Sequence, residues 1–346
     1  MTEMVGDIPA ENDLIDPWLA TPSADLAEVV KFHSGNYAVL GVGGKMGTTA
    51  ALMLVQALRA AGRTATVYGI SRFSRPEVRV RLEAWGIKTV ACDLAEPEQV
   101  ASLPFAANVL FLAGQKFGTS GAPEDTWLQN TVVPGYVARH YRASRIVAFS
   151  TGCVYPFADV TGPGCNESTP VAFLGDYASS CIGRERIFTH YAKRFSTPLT
   201  LYRLNYAVEL RYGVLIDLAT KLLNDEPVDL TTGFLNLIWQ GDAVDRAIRC
   251  LDIATPTPTI MNVTGATRHA VRDLALALGE RLGRTPRFVG TPAPSAWLAD
   301  ARASVEAWGE PTVTLEQMLD WTAHYLQRGG NLLGKPTHFE TRSGSF

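Results

Sequence analysis

Leu40-Gly41-Val42-Gly43-Gly44-Lys45-Met46-Gly47 is the stretch on which the reading of this chain turns. It follows an apolar run, Tyr37-Ala38-Val39-Leu40, and opens a segment from 48 to 62 of helical composition that stops at Gly62. Strand, glycine turn and helix in that order make a dinucleotide cradle. Gly41 permits the tight turn, Gly44 the approach of a pyrophosphate and Gly47 close helix–strand packing, while the helix N-terminus offers N–H donors and positive potential. Lys45 and Met46 fall within the same cofactor-binding loop. The alternative is an ordinary glycine-rich turn between strand and helix.

Outward from this loop the same alternation continues. A strand at 64–70 is followed by a helix near 76–85, a strand at 88–93, a short helix, a strand at 107–114, a helix at 126–142 and a strand at 145–151. Short buried strands alternating with helices imply a parallel sheet with helices on both faces, and right-handed crossovers give it a doubly wound order. Beyond a Gly/Pro/Ser/Thr-rich loop after 155 come a helix at 176–194, a strand at 198–205, a helix near 213–224, a strand at 259–263 and helices at 270–283 and 314–327. The fold class is α/β: a doubly wound parallel Rossmann-type sheet with a smaller C-terminal α+β substrate-binding part. Residues 1–35 form an N-terminal extension packed outside the fold, 36–175 the dinucleotide-binding core, 176–330 the remaining core elements and the cap, and 331–346 a tail. That tail is either a disordered end or an arm over the pocket or a neighbouring subunit.

The second strand ends Ser71-Arg72, without the carboxylate that commonly takes the ribose hydroxyls of NAD. A serine and a planar guanidinium suit a 2′-phosphate, so NADP(H) is preferred and NAD(H) is the alternative. Asp93-Leu94, at the end of the third strand, face the adenine in this reading; an aspartate there also serves as a local cap.

The chain of 346 residues carries a net charge of −3 with 47% hydrophobic and 19% charged residues. That balance sets up no strong field for nucleic acid or an anionic membrane, and points to a small-molecule partner. No apolar run is long enough to span a bilayer and the N-terminus lacks a signal core, so a cytoplasmic location is expected. The five cysteines form no C-x-x-C pair, and the six histidines show no metal spacing, so no metal is expected.

Further motifs stand in register. Val109-Leu110-Phe111-Leu112-Ala113-Gly114 closes the fourth strand, Asn130 lies in the following helix, Phe149-Ser150-Thr151-Gly152-Cys153-Val154-Tyr155 closes the fifth, and Tyr177 opens a helix. With the G-x-x-G-x-x-G spacing at 41–47, these resemble the extended short-chain dehydrogenase/reductase family, also called the NAD-dependent epimerase/dehydratase family, over roughly residues 37–330. The resemblance implies carbonyl or carbinol chemistry on a sugar-like substrate and a homodimer. It implies catalytic roles for Tyr177, as acid or base and cofactor contact, and for Thr151, as hydrogen-bond partner of the reacting oxygen. Ala113, Gly114 and Asn205 would touch the cofactor, and Lys116, Phe117, Gly152 and Cys153 the substrate. Gly152-Cys153 replaces the acidic pair of a dehydratase, leaving an epimerase or a simple reductase. Tyr202-Arg203 leads into Asn205, and Asp242 is read as a helix cap.

In the resemblance a lysine stands four residues after the tyrosine, where this chain has Cys181. A charge about 4 Å away at an effective dielectric near 20 is worth about 4 kcal/mol, so its loss would return Tyr177 toward a pKa of about 10. Three compensations are open: Lys116 as a replacement cation in the catalytic site; Arg184, two turns along the same helix face and about 10 Å away; or the cationic oxidised nicotinamide itself. The rival reading is a dinucleotide-binding sensor with little or no turnover.

Overall fold

In a computed structural model, which describes residues 4–5, 8–116 and 121–342, the apolar runs become strands β1 (Tyr37–Leu40), β2 (Val67–Ser71), β3 (Lys88–Ala91), β4 (Asn108–Phe111), β5 (Arg145–Thr151), β6 (Leu199–Leu204) and β7 (Thr259–Val263). Phe117 lies outside the described residues. The strands form one parallel sheet in the order β3-β2-β1-β4-β5-β6-β7. β1 and β4 are buried at every residue, as strands covered on both faces must be. Between them the strand order reverses, and the crevice at their carboxyl ends is where such sheets take a ligand.

The helices are α1 (Ala24–Phe32), α2 (Lys45–Ala60), α3 (Pro76–Ala84), α4 (Val133–His140), α5 (Gly175–Phe195), α6 (Val214–Leu223), α7 (Gln240–Arg249), α8 (Val271–Leu282) and α9 (Leu315–Gln327). Alternate strand residues serve opposite faces. Val39, Leu110 and Val147 pack with α1, α2 and α7, whereas Leu40, Phe111 and Ala148 pack with Val137 of α4 and Phe188 of α5. A third core gathers α6, α8 and α9 into the cap.

Both ends of the chain enter that third core. Ile8, Ile15 and Leu19 are buried in it, and Trp18 meets Trp239 and Trp321 edge-on with ring centroids 5.6 and 5.0 Å away. Residues 8–19 of the N-terminal segment are therefore woven into the cap, and α1 packs on the sheet, instead of lying outside. The elements at 8–19 are short and interrupted by Pro9 and Pro17, so no helical period marks them. The tail is an arm over its own chain: Phe339 is 1% exposed in the same core, and Thr337 donates to Asp217 through its N–H (2.8 Å) and hydroxyl (2.5 Å).

Two local differences bear on the site. Asp242 lies inside α7 and accepts from Thr312 Oγ1 (2.6 Å) and Val313 N (3.0 Å), so it tethers a distant loop and does not cap a helix. The helix expected at 126–142 is interrupted by a π-helical turn at Leu128–Val132, in which Asn130 is fully buried.

Candidate active site

Two cavities meet the carboxyl ends of the strands. The first, of about 230 Å³, is walled by Gly41 and Gly44 after β1, Ser71 and Arg72 at the end of β2, Asp93 and Leu94 after β3, and Ala113 and Gly114 after β4. Gln129, which the sequence did not single out, joins them. Gly41 has φ +89° and a Cβ there would lie 2.8 Å from Ala113 N; a Cβ on Gly47 would collide with Gly41 O. No side chain caps α2 at Gly44, so its first N–H groups face the crevice for an anion. The residues present thus fit a dinucleotide pyrophosphate. Arg72 is exposed, and Asp93 Oδ1 accepts from Ala95 N (3.0 Å), a local cap.

The second cavity, of about 220 Å³, is the chemical one. Thr151 ends β5, Tyr177 stands in the first turn of α5, and Cys153 follows Thr151 in a short 3₁₀ turn. Thr151 and Tyr177 line this cavity together, and Thr151 Oγ1 accepts from Cys153 N at 3.2 Å. Gly152 packs on Asn205, whose amide donates to Asn236 Oδ1 (2.9 Å) at the cavity wall. Lys116 reaches the same cavity from the loop after β4. So do Lys45 and Met46, whose side chains leave the glycine loop on this side and do not wall the first cavity; Lys45 Nζ sits 3.5 Å from the Tyr212 ring centroid. Tyr206, with φ +43°, and Trp297, Thr337 and Phe339 complete the wall. A bulky residue in the left-handed region is held there only by its surroundings. No motif marked these four positions.

Burial raises the Tyr177 hydroxyl well above the ordinary tyrosine value, with Cys181 and Cys153 pushing the same way; Arg184 and the Thr151 hydrogen bond pull it back. Tyr177 is therefore a neutral O–H donor near pH 7. Cys181 is fully buried and its thiol is raised by burial to about 11, which leaves no thiolate to act as a nucleophile. Burial also lowers both lysines, Lys45 to about 7.

Arg184 is neither paired with Glu185 nor solvated. Its Nη1 donates to Phe149 O (2.8 Å) and its Nη2 to Asn130 Oδ1 (2.5 Å), placing the guanidinium where a Cβ on Gly114 would collide with it. Asn130 in turn donates to Gln115 O (2.8 Å) and Ser180 Oγ (3.0 Å) and accepts from Gln115 N (2.9 Å), which the inward π turn makes geometrically accessible. Glu185 instead pairs with Arg203 at 2.6 Å and accepts from Ser150 Oγ at 2.5 Å, while Arg203 Nη1 donates to Tyr155. This buried network fixes β5, β6 and α5 beneath the catalytic positions. Among the described residues no cluster could hold a metal ion, and no helix is long and apolar enough to cross a membrane.

The model of the NAD dependent epimerase/dehydratase family matches residues 37–214, just over half of the chain and all of the elements that carry the two cavities' central residues. The chain belongs to that family. A curated relative, the 2-alkyl-3-oxoalkanoate reductase of Shewanella oneidensis, is 33% identical over 147 residues, which are 41% of this chain and 35% of that protein's length. The alignment thus spans about a third of the relative. Among solved structures, the NAD complex of UDP-glucuronic acid 4-epimerase from Bacillus cereus is similar at TM-score 0.69 and 18% identity, covering 85% of this chain and 99% of that one. The NAD complex of UDP-glucose 4-epimerase from Thermus thermophilus gives TM-score 0.69 and 18% identity over 84% and 99%. At such identities the likeness shows the epimerase-family fold and nothing finer.

Proposed function

We propose that this family member is an NADP(H)-preferring oxidoreductase that reduces a carbonyl carbon of a polar substrate, and reoxidises the alcohol in the reverse direction. The observation that carries this reading is the Tyr177–Thr151 pair beside a dinucleotide crevice, with Tyr177 held neutral. The dinucleotide, when bound, supplies the hydride to the carbonyl carbon. As the C=O electron pair moves onto oxygen, that oxygen takes the Tyr177 proton and keeps a hydrogen bond from Thr151; solvent restores the tyrosine after release. The name of the curated relative, a reductase, is what favours the reductive direction over an epimerisation that must begin by oxidising an alcohol. Arg184 supplies a fixed charge behind Tyr177 in place of the lysine that the resemblance led us to expect.

Thr337 and Phe339 wall the cavity of about 220 Å³ beside Tyr177, where the substrate sits in this reading. The solved relatives are named for UDP-sugars; the reductase relative is named for an oxo acid. Titration with NADPH and NADH, followed by a carbonyl panel read at the nicotinamide absorbance, tests the proposal. Tight NADPH binding with turnover supports it, and binding without any redox change sinks it in favour of a sensor.

Cofactor choice rests on Arg72 beside Ser71. Arg72→Asp is expected to reverse the preference, weakening NADPH by roughly 10-fold or more, the order of a lost charge-assisted contact. Equal affinities for NADPH before and after the change would remove the basis for the NADP(H) assignment.

A further inference from the structure

We infer that Tyr206 is a specificity-determining residue of this site, its hydroxyl donating a hydrogen bond to a second oxygen of the substrate, distinct from the one that takes the Tyr177 proton. This rests on the reductase reading and adds to it a contact that the sequence motifs leave out. Tyr206 stands between β6, which ends at Leu204, and a two-residue strand, Ala207–Val208, that pairs with Ile238–Trp239. Asn205 N donates to Val263 O (3.0 Å) and Tyr206 O accepts from Ile238 N (3.2 Å), so the chain is pinned on both sides of a bend that has φ +43° at Tyr206. Glycine or asparagine makes such a bend at a lower steric cost; a tyrosine held there carries strain of the kind that collects at ligand sites. Among the described residues, Tyr206 alone of the non-glycine positions with positive φ lines the cavity of Thr151 and Tyr177.

Its hydroxyl is unanswered within the protein. The fully buried tyrosines all satisfy theirs: Tyr37 with His33 Nδ1 (2.9 Å), Tyr141 with Pro104 O (3.2 Å), Tyr155 with Asn262 Oδ1 (2.7 Å), Tyr202 with Ala243 O (2.5 Å) and Tyr325 with Asn331 O (2.9 Å). Among the described residues the half-buried Tyr206 makes no such bond. Burial raises its hydroxyl far above the ordinary tyrosine value, so it stays a neutral donor. Of the neighbouring groups, Cys153 on the cavity wall acts on it most strongly, ahead of Glu340 and Arg342 of the tail, which places the hydroxyl toward the cavity. A donor in that position binds a ligand oxygen in preference to a methyl group of the same size, because the methyl leaves it unmet. The substrate class is therefore a ketone or aldehyde with at least one further oxygen on its carbon chain.

The experiment uses pairs of ketones that exchange a hydroxyl for a methyl, acetoin against 3-methyl-2-butanone and 4-hydroxy-2-butanone against 2-pentanone, on the NADPH-loaded wild-type protein and on Tyr206→Phe. Turnover and affinity, the latter from fluorescence of bound NADPH, are both measured. In the wild type a hydroxyketone is expected to exceed its methyl partner in kcat/KM by roughly 10-fold or more, the order of one hydrogen bond whose donor is otherwise unmet. In Tyr206→Phe, which keeps the ring and the backbone, that ratio collapses toward one through KM and not through kcat. Its Tm equals or exceeds that of the wild type, since no bond within the protein is lost; a lowered Tm would show the hydroxyl serving the fold and overturn the assignment. A binding preference that depends on Tyr206 without any turnover would uphold the contact and overturn the reductase reading. Turnover with ratios near one in the wild type, a ratio that survives in Tyr206→Phe, or no binding of any of these ketones would overturn the contact; the first of these would leave the reductase reading standing.

Discussion

Tyr177→Phe is expected to lower kcat by roughly 10²–10⁴-fold while the dinucleotide still binds. The substitution keeps the ring that lines the cavity and removes only the O–H whose proton the carbonyl oxygen would receive in the proposed step. A single-turnover assay with bound NADPH separates this loss from slow product release. Retention of more than roughly a tenth of the wild-type rate would mean that another group delivers the proton. Lys116, in the same cavity and lowered by its burial, is the group such a result would implicate.

The second large effect is on stability. The Arg203–Glu185 pair is 4% and 7% exposed, with Arg203 Nε 2.9 Å and Nη2 2.6 Å from the two carboxylate oxygens. Arg203→Met leaves Glu185 buried with only Ser150 to answer it, and strips Tyr155 of a donor. A loss of about 3–5 kcal/mol is expected, measured by denaturant unfolding, because an uncompensated buried charge costs far more than the pair contributes. Arg203→Met combined with Glu185→Leu should recover a large part of it. A single variant within about 1 kcal/mol of wild type would show that water reaches Glu185 and that the network is not closed.

Much of the architecture could be read from residue order. The glycine loop, the alternation of short apolar strands with helices and the positions of Thr151 and Tyr177 all report local chemistry, and local chemistry is what a sequence displays. What escaped is long-range or directional. Arg184 is two turns from Tyr177, and a distance along the helix axis says nothing of a side chain that reaches back to Asn130 and Phe149. Lys45 belongs to the glycine motif by position but to the cavity of Thr151 and Tyr177 by direction, since the first residue of a helix can turn to either side of the loop. Helix α7 was signalled only by the reading of Asp242 as a cap; it begins earlier, at Gln240, and the cost of Gly241 and Asp242 inside it is met by the buried face of Val244, Ala247 and Ile248. Ile15 and Phe339 carry no periodic pattern, because each is buried by elements hundreds of residues away.

The part played by Thr337 and Phe339 has a consequence for how the protein matures. The crevice at 41–114 and the pair Thr151–Tyr177 are built from residues that leave the ribosome well before Thr337 and Phe339, which wall the second cavity. At roughly 5–20 residues per second, about ten seconds separate the emergence of Asn205 from that of Phe339. A nascent chain in that interval has its nucleotide crevice before it has an enclosed place for a reactant. Closure of the second cavity therefore waits on Thr337 and Phe339, so that a ribosome stalled before them would display the glycine-loop crevice without that wall.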